Sequence, residues 1–132
     1  MGPPVRVSRD GRHFSDHDGR PSFWRGDTQW ELFRGYSLDD ARTIIDGSRA
    51  AGFPFIQTKL LGGGDATKPN VTGETPFVNA DPATPNEGYF RNVDAVLEAA
   101  RERGMLVSLS MYHQSYRKIF PLEKVRPWAR WF

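Results

Sequence analysis

The chain begins with short stretches in which apolar and polar residues alternate, separated by glycine-containing turns. Residues 5–8 alternate in this way and predict a strand, which a type I′ turn at Asp10-Gly11 would reverse. Arg12–Ser15 is the predicted return strand, and Asp18-Gly19 repeats the turn signal. Pro21–Arg25 is a third extended run, and Pro21 suits the start of a strand because it cannot donate to a ladder. The first 22 residues therefore predict a pair of hairpins.

From Ser37 the apolar positions recur with the period of a helix. Ser37 and Asp40 have the spacing of a capping box, and Gly52 is a typical residue just beyond a helix C-terminus. The predicted face of this helix consists of Leu38, Ala41, Ile44, Ile45 and Ser48. The dense apolar run Phe53–Leu61 follows, and its strand-forming residues predict a mostly buried strand.

Residues 62–85 show no apolar period and carry Gly, Pro, Asn and Thr throughout. A loop longer than about 12–15 residues indicates function or disorder. A second helix is predicted from near Asn86 to Gly104, and Leu106–Met111 is the next predicted strand. The apolar side of that helix comprises Tyr89, Phe90, Val93, Val96, Leu97 and Ala100.

The order strand, helix, strand, helix, strand after the hairpins predicts an α/β fold with parallel strands and right-handed crossovers. Phe120–Phe132 has a helical composition, and Pro127 predicts a kink or a late start of that helix. The segment also mixes basic and aromatic side chains, which is typical of a nucleic-acid or membrane surface. We favour an amphipathic helix that packs on the sheet, because the two upstream units need such a cover.

Composition narrows the function classes. The 132 residues are 38% hydrophobic and 13% aromatic, which suffices for a folded core, and no stretch approaches the ~20 apolar residues of a membrane span. The start of the chain lacks the apolar region of a signal peptide, so a cytoplasmic location is the default expectation. The interspersed charges sum to +2, which argues against a nucleic-acid partner, and we expect no membrane partner either. Without cysteine, and without histidines at metal-ligand spacing, we expect no metal and no cofactor.

Polar and aromatic residues cluster where the predicted strands end. These ends are Gly26–Glu31, Leu61–Asp65 and Met111–Gln114. Because ligands of parallel α/β folds bind beyond the carboxyl ends of the strands, we take these segments as the candidate site.

The first segment offers Asp27 and Trp30 as substrate-binding residues. Asp27 could bind sugar hydroxyls or orient another acid, and it could equally cap the turn that begins at Thr28. Trp30 could stack on a sugar ring or fill the rim of a barrel.

The second and third segments offer Gly64, Asp65, Tyr112 and His113. The triplet Gly62–Gly64 would let the backbone approach a ligand beside the Asp65 carboxylate. Alternatively, the glycines are there because the turn needs backbone conformations that other residues rarely adopt. It matches neither a P-loop nor a dinucleotide fingerprint, because no helix opens directly after it. Tyr112 and His113 could form a hydrogen-bonding subsite or lie at the rim.

Five segments occur in an order and spacing that resemble the start of the apiosidase-like glycoside hydrolases, once a domain of unknown function. They are Val7–Phe14, Gly26–Leu32, Ile56–Asp65, Gly73–Phe77 and Asp81–Asn86. The likeness covers nearly the whole chain and weakens after about Met111. It implies a (β/α)₈ barrel that hydrolyses glycosidic bonds of plant or microbial polysaccharides, with the hairpins closing its bottom. It also implies catalytic carboxylates near later strands, with Asp27, Trp30, Gly64 and Asp65 as subsite residues.

A (β/α)₈ barrel typically takes ~250 residues, and this chain provides about three strand–helix units. We therefore expect one partial domain over residues 1–132, with a hairpin cap at 1–22 and the first βα units at 23–132. The catalytic acid and nucleophile stay unassigned, although Asp27 and Asp65 on adjacent strands could reach either mechanistic separation. A non-catalytic carbohydrate-binding or assembly module and a truncated gene product are the alternatives. An open barrel edge would also permit self-association.

Overall fold

The computed structural model describes residues 5–131, so Met1–Pro4 of the predicted cap and Phe132 of the predicted last helix lie outside the described residues. Two three-stranded sheets and three α-helices make up this part of the chain. The elements in chain order are β1 (Arg6–Val7), β2 (Phe14–Ser15), β3 (Pro21–Ser22), β4 (Gly26–Thr28), α1 (Leu38–Ala50), β5 (Phe55–Lys59), α2 (Glu87–Glu102), β6 (Leu106–Ser110) and α3 (Leu122–Trp131).

The predicted hairpins are present, but the first turn differs from the predicted type. Strands β1, β2 and β3 pair antiparallel in that order. A type I′ turn needs positive φ at both central residues, and here Gly11 has φ +70° while Asp10 does not enter that region. The Ser8 hydroxyl accepts from the backbone N–H groups of Arg12 and His13, and this side chain holds a wider loop. The type I′ prediction is therefore wrong.

The third extended run, Pro21–Arg25, provides only β3, and a separate strand follows it. β3 completes the hairpin sheet, whereas Gly26–Thr28 forms β4, which pairs parallel with β5 through Asp27 and Ile56. Gly26–Thr28, which the sequence places after the first strand, are thus the strand itself, and only Gln29–Glu31 follow it. Gly26 permits the pairing, because a Cβ at this position would overlap the Phe55 ring.

The second sheet has the order β4-β5-β6 with all strands parallel, as the alternation of strands and helices predicts. Ile56 and Thr58 of β5 are fully buried on the helix side. On the opposite face an exposed polar row crosses the sheet, because Thr28 pairs with Gln57 and Gln57 pairs with Ser108. We call this side of the sheet the open face.

Both crossover helices begin and end at the predicted residues. The Ser37 hydroxyl accepts from the Asp40 N–H at 3.1 Å and caps α1, and Gly52 follows its end with φ +78°. The Asn86 side chain accepts from the Gly88 N–H at 3.0 Å and caps α2. The prediction succeeds because capping depends on residues close in sequence.

One apolar core lies between the sheet and the helices. It combines the residues after β4 with the inner faces of α1, β5 and α2, and its fully buried members include Leu32, Phe33, Ala41, Ile45, Ile56, Val96 and Tyr89. The Arg103 guanidinium bonds the Asp46 carboxylate at 2.6 Å and ties α2 to α1 on the outer side.

The long segment 62–85 is an ordered connection. The Asn70 side-chain carbonyl accepts from Thr72 and from the Glu74 N–H, while the Glu74 carboxylate accepts from the Asn86 amide at 2.9 Å. Phe77 and Pro85 form an isolated bridge. These contacts attach the segment to the start of α2.

The last helix starts at Leu122 and holds Pro127 in its interior, so the late start predicted from this proline is wrong. Trp128 is buried, with its ring 5.2 Å from that of Phe77 and 5.7 Å from that of Phe120. Trp131 contacts Phe90 of α2. The segment is thus an amphipathic helix as predicted, but its aromatic side packs on α2 and the connecting segments, not on the sheet as expected.

Candidate functional site at the carboxyl end of the parallel strands

The turn after β4 places one aromatic and two charged side chains at the carboxyl end of the sheet. The Gln29 N–H donates to the Gln57 carbonyl at 2.9 Å and continues the ladder by one bond. Leu32 and Phe33 then enter the core, which leaves Trp30 and Glu31 at the rim. The Trp30 side chain is 51% exposed.

Glu31 and Arg34 form an ion pair within this turn. The Arg34 Nε donates to Glu31 Oε2 at 3.0 Å, and Nη2 donates to Oε1 at 3.1 Å. Glu31 Oε1 also accepts from the Gly63 N–H of the next loop. The fork geometry of a guanidinium suits a carboxylate, so this pair has a fixed orientation.

The same guanidinium orders the loop after β5. Arg34 Nη1 donates to the carbonyls of Leu61 at 3.0 Å and Asp65 at 2.7 Å, and Nη2 donates to the Gly63 carbonyl at 2.5 Å. With the two bonds to Glu31, all five N–H groups of this buried side chain are used. Because a buried guanidinium needs such partners, Arg34 and the loop fix each other.

Residues after β6 complete the support of this loop. The Tyr116 hydroxyl donates to the Gly62 carbonyl, and the Ser115 hydroxyl donates to the Gly64 carbonyl at 2.8 Å. Each carbonyl from Leu61 to Asp65 therefore accepts from a side chain of another segment. Burial raises the pKa of Tyr116 to about 12, so its hydroxyl remains a donor at neutral pH.

The three glycines of Gly62–Gly64 have different surroundings. Gly62 has φ +70°, and a Cβ there would overlap the Arg34 guanidinium; at Gly63 a Cβ would come 2.8 Å from Glu31 Oε1. The close approach at these positions is to protein groups. Gly64 has φ +72° and open space where its Cβ would be. Only this third glycine faces room for a ligand.

Lys59, the last residue of β5, lies beneath Trp30. Its Nζ is 3.7 Å from the centroid of the indole ring, and the residue is only 5% exposed. His113 lies beside the same indole, with the two ring centroids 6.5 Å apart.

The two predicted residues after β6 lie at the rim. The His113 Nδ1 accepts from the Ser115 N–H at 3.2 Å and lies 2.8 Å from the Ser115 hydroxyl, which orients the imidazole. Tyr112 is about half exposed and meets Tyr116 and Phe120 edge to face. His113 and Tyr112 therefore present polar atoms from a fixed aromatic cluster.

The two predicted carboxylates are held in different surroundings. Asp65 is exposed and accepts from the Thr67 N–H at 2.9 Å and its hydroxyl at 2.7 Å, and these bonds lower the pKa of Asp65. Asp27 accepts from Gln29 Nε2 at 2.9 Å and from the Ser48 hydroxyl of α1 at 2.7 Å, which lowers the pKa of Asp27. Asp27 thus has its partners on the helix side of the sheet, away from the open face.

The structure brings Trp30, Gly64 and His113 to one edge of the sheet, with Ser115 joining the last two. Sequence reasoning missed Arg34, Lys59, Ser115 and Tyr116, and it gave Glu31 no role within the first segment. The Glu31–Arg34 spacing of three residues was a signal for the ion pair. Nothing local marked the loop contacts of Arg34, which lie 27 to 31 residues away.

Other features of residues 5–131 offer no competing centre. No group of three or more metal-ligating side chains is found among them, and none of their helices is long and apolar enough to cross a bilayer. A shallow cavity of about 580 Å³ lies at the hairpins, lined by Ser8, Asp10, His13, Asp16 and neighbouring residues. None of its lining residues belongs to the strand ends that form the candidate site.

Comparison with known proteins decides the family. Residues 8–132 match the family model of the apiosidase-like catalytic domain. The chain belongs to the apiosidase-like catalytic domain family. No match was found among curated proteins.

Two solved structures with a similar fold are described as glycoside hydrolases. One described as a glycoside hydrolase superposes with a TM-score of 0.79 at 19% identity, covering 97% of this chain and 30% of that one. A family 5 glycoside hydrolase from Bacteroides vulgatus gives a TM-score of 0.78 at 19% identity, covering 97% and 29%. The chain therefore spans less than a third of these structures. The expected fold class, hairpins followed by about three βα units of a partial barrel, is confirmed.

Proposed function

We propose that this apiosidase-like chain supplies the substrate-binding rim of a glycoside hydrolase that acts on plant or microbial polysaccharides. The observation that carries the proposal is the half-exposed indole of Trp30 beside His113 at the carboxyl end of the parallel strands. A flat apolar ring next to hydrogen-bonding groups suits the C–H face and hydroxyls of a sugar. Gly64, Asp65 and Tyr112 extend this rim, and Asp27 stays a prediction without a place on it.

The catalytic acid and nucleophile are proposed to follow later strands of the complete barrel. A glycosidase needs one carboxyl group that stays protonated near neutral pH. Glu31 is committed to Arg34, while hydrogen bonds lower the pKa values of Asp27 and Asp65, the opposite of what an acid needs. Strong hydrolysis by the 132-residue chain alone would contradict this assignment, and activity restored by the downstream sequence would support it.

The binding role is tested by calorimetric titration of the chain with cellotetraose and xylotetraose. We expect Trp30→Ala to weaken binding about tenfold, which corresponds to ~1.4 kcal/mol of lost stacking. Trp131→Ala is the matched control, because this indole is also partly exposed but packs on α2. Equal affinities in the two variants would argue against the rim. Binding without turnover by both the chain and its extended form would favour the carbohydrate-binding module instead.

We also propose that the segment 1–22 closes the amino-terminal end of the barrel. Phe55 is the first residue of β5 and shares the open face with Gln57. Trp24 stacks on its ring at 4.4 Å, and Phe14 of the hairpin lies 5.3 Å from Trp24. These rings would cover the interior of the barrel from below.

Self-association of the chain on its own is proposed to use the outer edge of β6. In the sheet of the described residues, β6 pairs only with β5, so its other edge offers free backbone groups. Sedimentation at increasing concentration tests this, and a monomer throughout would contradict it.

A further inference from the structure

Lys59 occupies an unusual place for a lysine. It ends β5 and shares the open face with Gln57, two residues earlier, yet it is 5% exposed where Gln57 is exposed. Trp30 lies over its ammonium, with the ring centroid 3.7 Å from Nζ.

The contact fixes one face of the indole. A cation over an aromatic face is attracted by the ring quadrupole, and the attraction is stronger where water is excluded, as it is around this ammonium. The half-exposed surface of Trp30 is then the face turned away from Lys59. The neighbouring carboxylate of Glu31 does not compete for the ammonium, because Arg34 and the Gly63 N–H hold its oxygens.

We propose that Lys59 is a positioning residue that holds the Trp30 indole in the orientation in which its outer face stacks on a sugar. The proposal rests on the function assigned to Trp30 above. Lys59 itself touches no substrate; its ammonium acts through the ring. The lysine stem fills the space under the indole, and the charge sets the orientation of the ring.

The test compares Lys59→Met, which keeps the length of the stem without the charge, with Lys59→Arg, which keeps a cation. The chain is labelled with 5-fluorotryptophan, and the Trp30 fluorine resonance is assigned by its absence from Trp30→Phe. We expect one sharp resonance in the wild-type protein and in Lys59→Arg, and a shifted and broadened one in Lys59→Met. Lys68→Met removes an exposed lysine of the following loop and should leave the resonance unchanged.

Affinity for cellotetraose and xylotetraose gives the second readout. We expect Lys59→Met to bind about three- to tenfold more weakly than the wild-type protein and Lys59→Arg to recover most of the loss. An unchanged Trp30 resonance in Lys59→Met, or no rescue by arginine, would overturn the positioning role. If the wild-type chain binds neither sugar, the proposed function fails, while the fluorine resonance still decides whether Lys59 orients Trp30.

Discussion

Arg34 donates a 2.7 Å hydrogen bond from its guanidinium to the main-chain carbonyl of Asp65, and this bond joins the turn after β4 to the loop after β5. It is one of five bonds that the buried side chain makes. The rim of the candidate site therefore depends on a residue that sits beneath it.

Replacement of Arg34 should destabilise the chain more than any surface charge does. Arg34→Met would leave buried carbonyls without donors and the Glu31 carboxylate, 38% exposed, without its cation. We expect a loss of about 2–4 kcal/mol in the free energy of unfolding, measured with urea. The loss for Arg34→Lys should be smaller than that for Arg34→Met but not zero, because an ammonium keeps the charge and cannot reproduce the planar fork of the guanidinium. Arg42→Met removes an exposed pair with Asp39 and should cost less than about 0.5 kcal/mol. Equal losses at positions 34 and 42 would refute the role of the guanidinium.

Substitution by alanine should change the free energy of unfolding in opposite directions at two glycines. At Gly62 the added Cβ would overlap Arg34, and φ is +70°, so Gly62→Ala should lower the free energy of unfolding by about 2 kcal/mol or more. Gly47 lies on the exposed side of the last turn of α1, with nothing within 4 Å of its Cβ position. Gly47→Ala should therefore raise the free energy of unfolding by up to about 1 kcal/mol through helix propensity. Thermal unfolding of both variants shows whether each substitution stabilises or destabilises the chain. A stabilising effect of Gly62→Ala would contradict the structure.

The hydrogen bonds of Asp27 should appear in the acid dependence of stability. Gln29 first and Ser48 second lower the pKa of Asp27 in the folded chain below its usual value. A lowered folded-state pKa contributes stability that is complete above the unfolded pKa of about 3.9 and is lost as pH falls through the folded value. Below about pH 4 we therefore expect the free energy of unfolding to fall less steeply with pH in Asp27→Asn than in the wild-type protein.

Asp94→Asn is the control for that series, because it removes an exposed carboxylate of α2 and leaves Asp27, Gln29 and Ser48 in place. Urea titrations at intervals between pH 2 and pH 6 give the three curves. Parallel curves for Asp27→Asn and the wild-type protein would show that the bonds to Gln29 and Ser48 do not favour the ionised carboxylate.

The sequence predicts those parts of the fold that depend on near neighbours. Ser37 and Asn86 cap the crossover helices as expected, since each cap acts on residues two or three positions away. The position of β4 was missed, because it depends on a change of pairing partner from Phe14–Ser15 to Phe55–Gln57. Periodicity within one extended run carries no information on such a change.

The candidate site likewise contains residues that the sequence identifies and residues that only the folded chain reveals. Trp30 and His113 were identified because polar and aromatic residues follow strands, and the structure brings them together. The supports of the rim, Arg34, Lys59 and Tyr116, come from separate segments and meet only in the folded chain. Gly62 and Gly63 illustrate the difference, because their proximity to Arg34 and Glu31 could not be distinguished in the sequence from room for a ligand.

The parallel register has a consequence for the way the chain folds. Phe55 pairs with Leu106, about 50 residues later, and the ordered connection and α2 lie between them. At a synthesis rate of ~5–20 residues per second, β6 is synthesised roughly 3–10 s after β5. During that interval the edge of β5 that will meet β6 is open to other strands. The nascent chain is then most vulnerable to mispairing, and a chaperone would have the most effect at this stage.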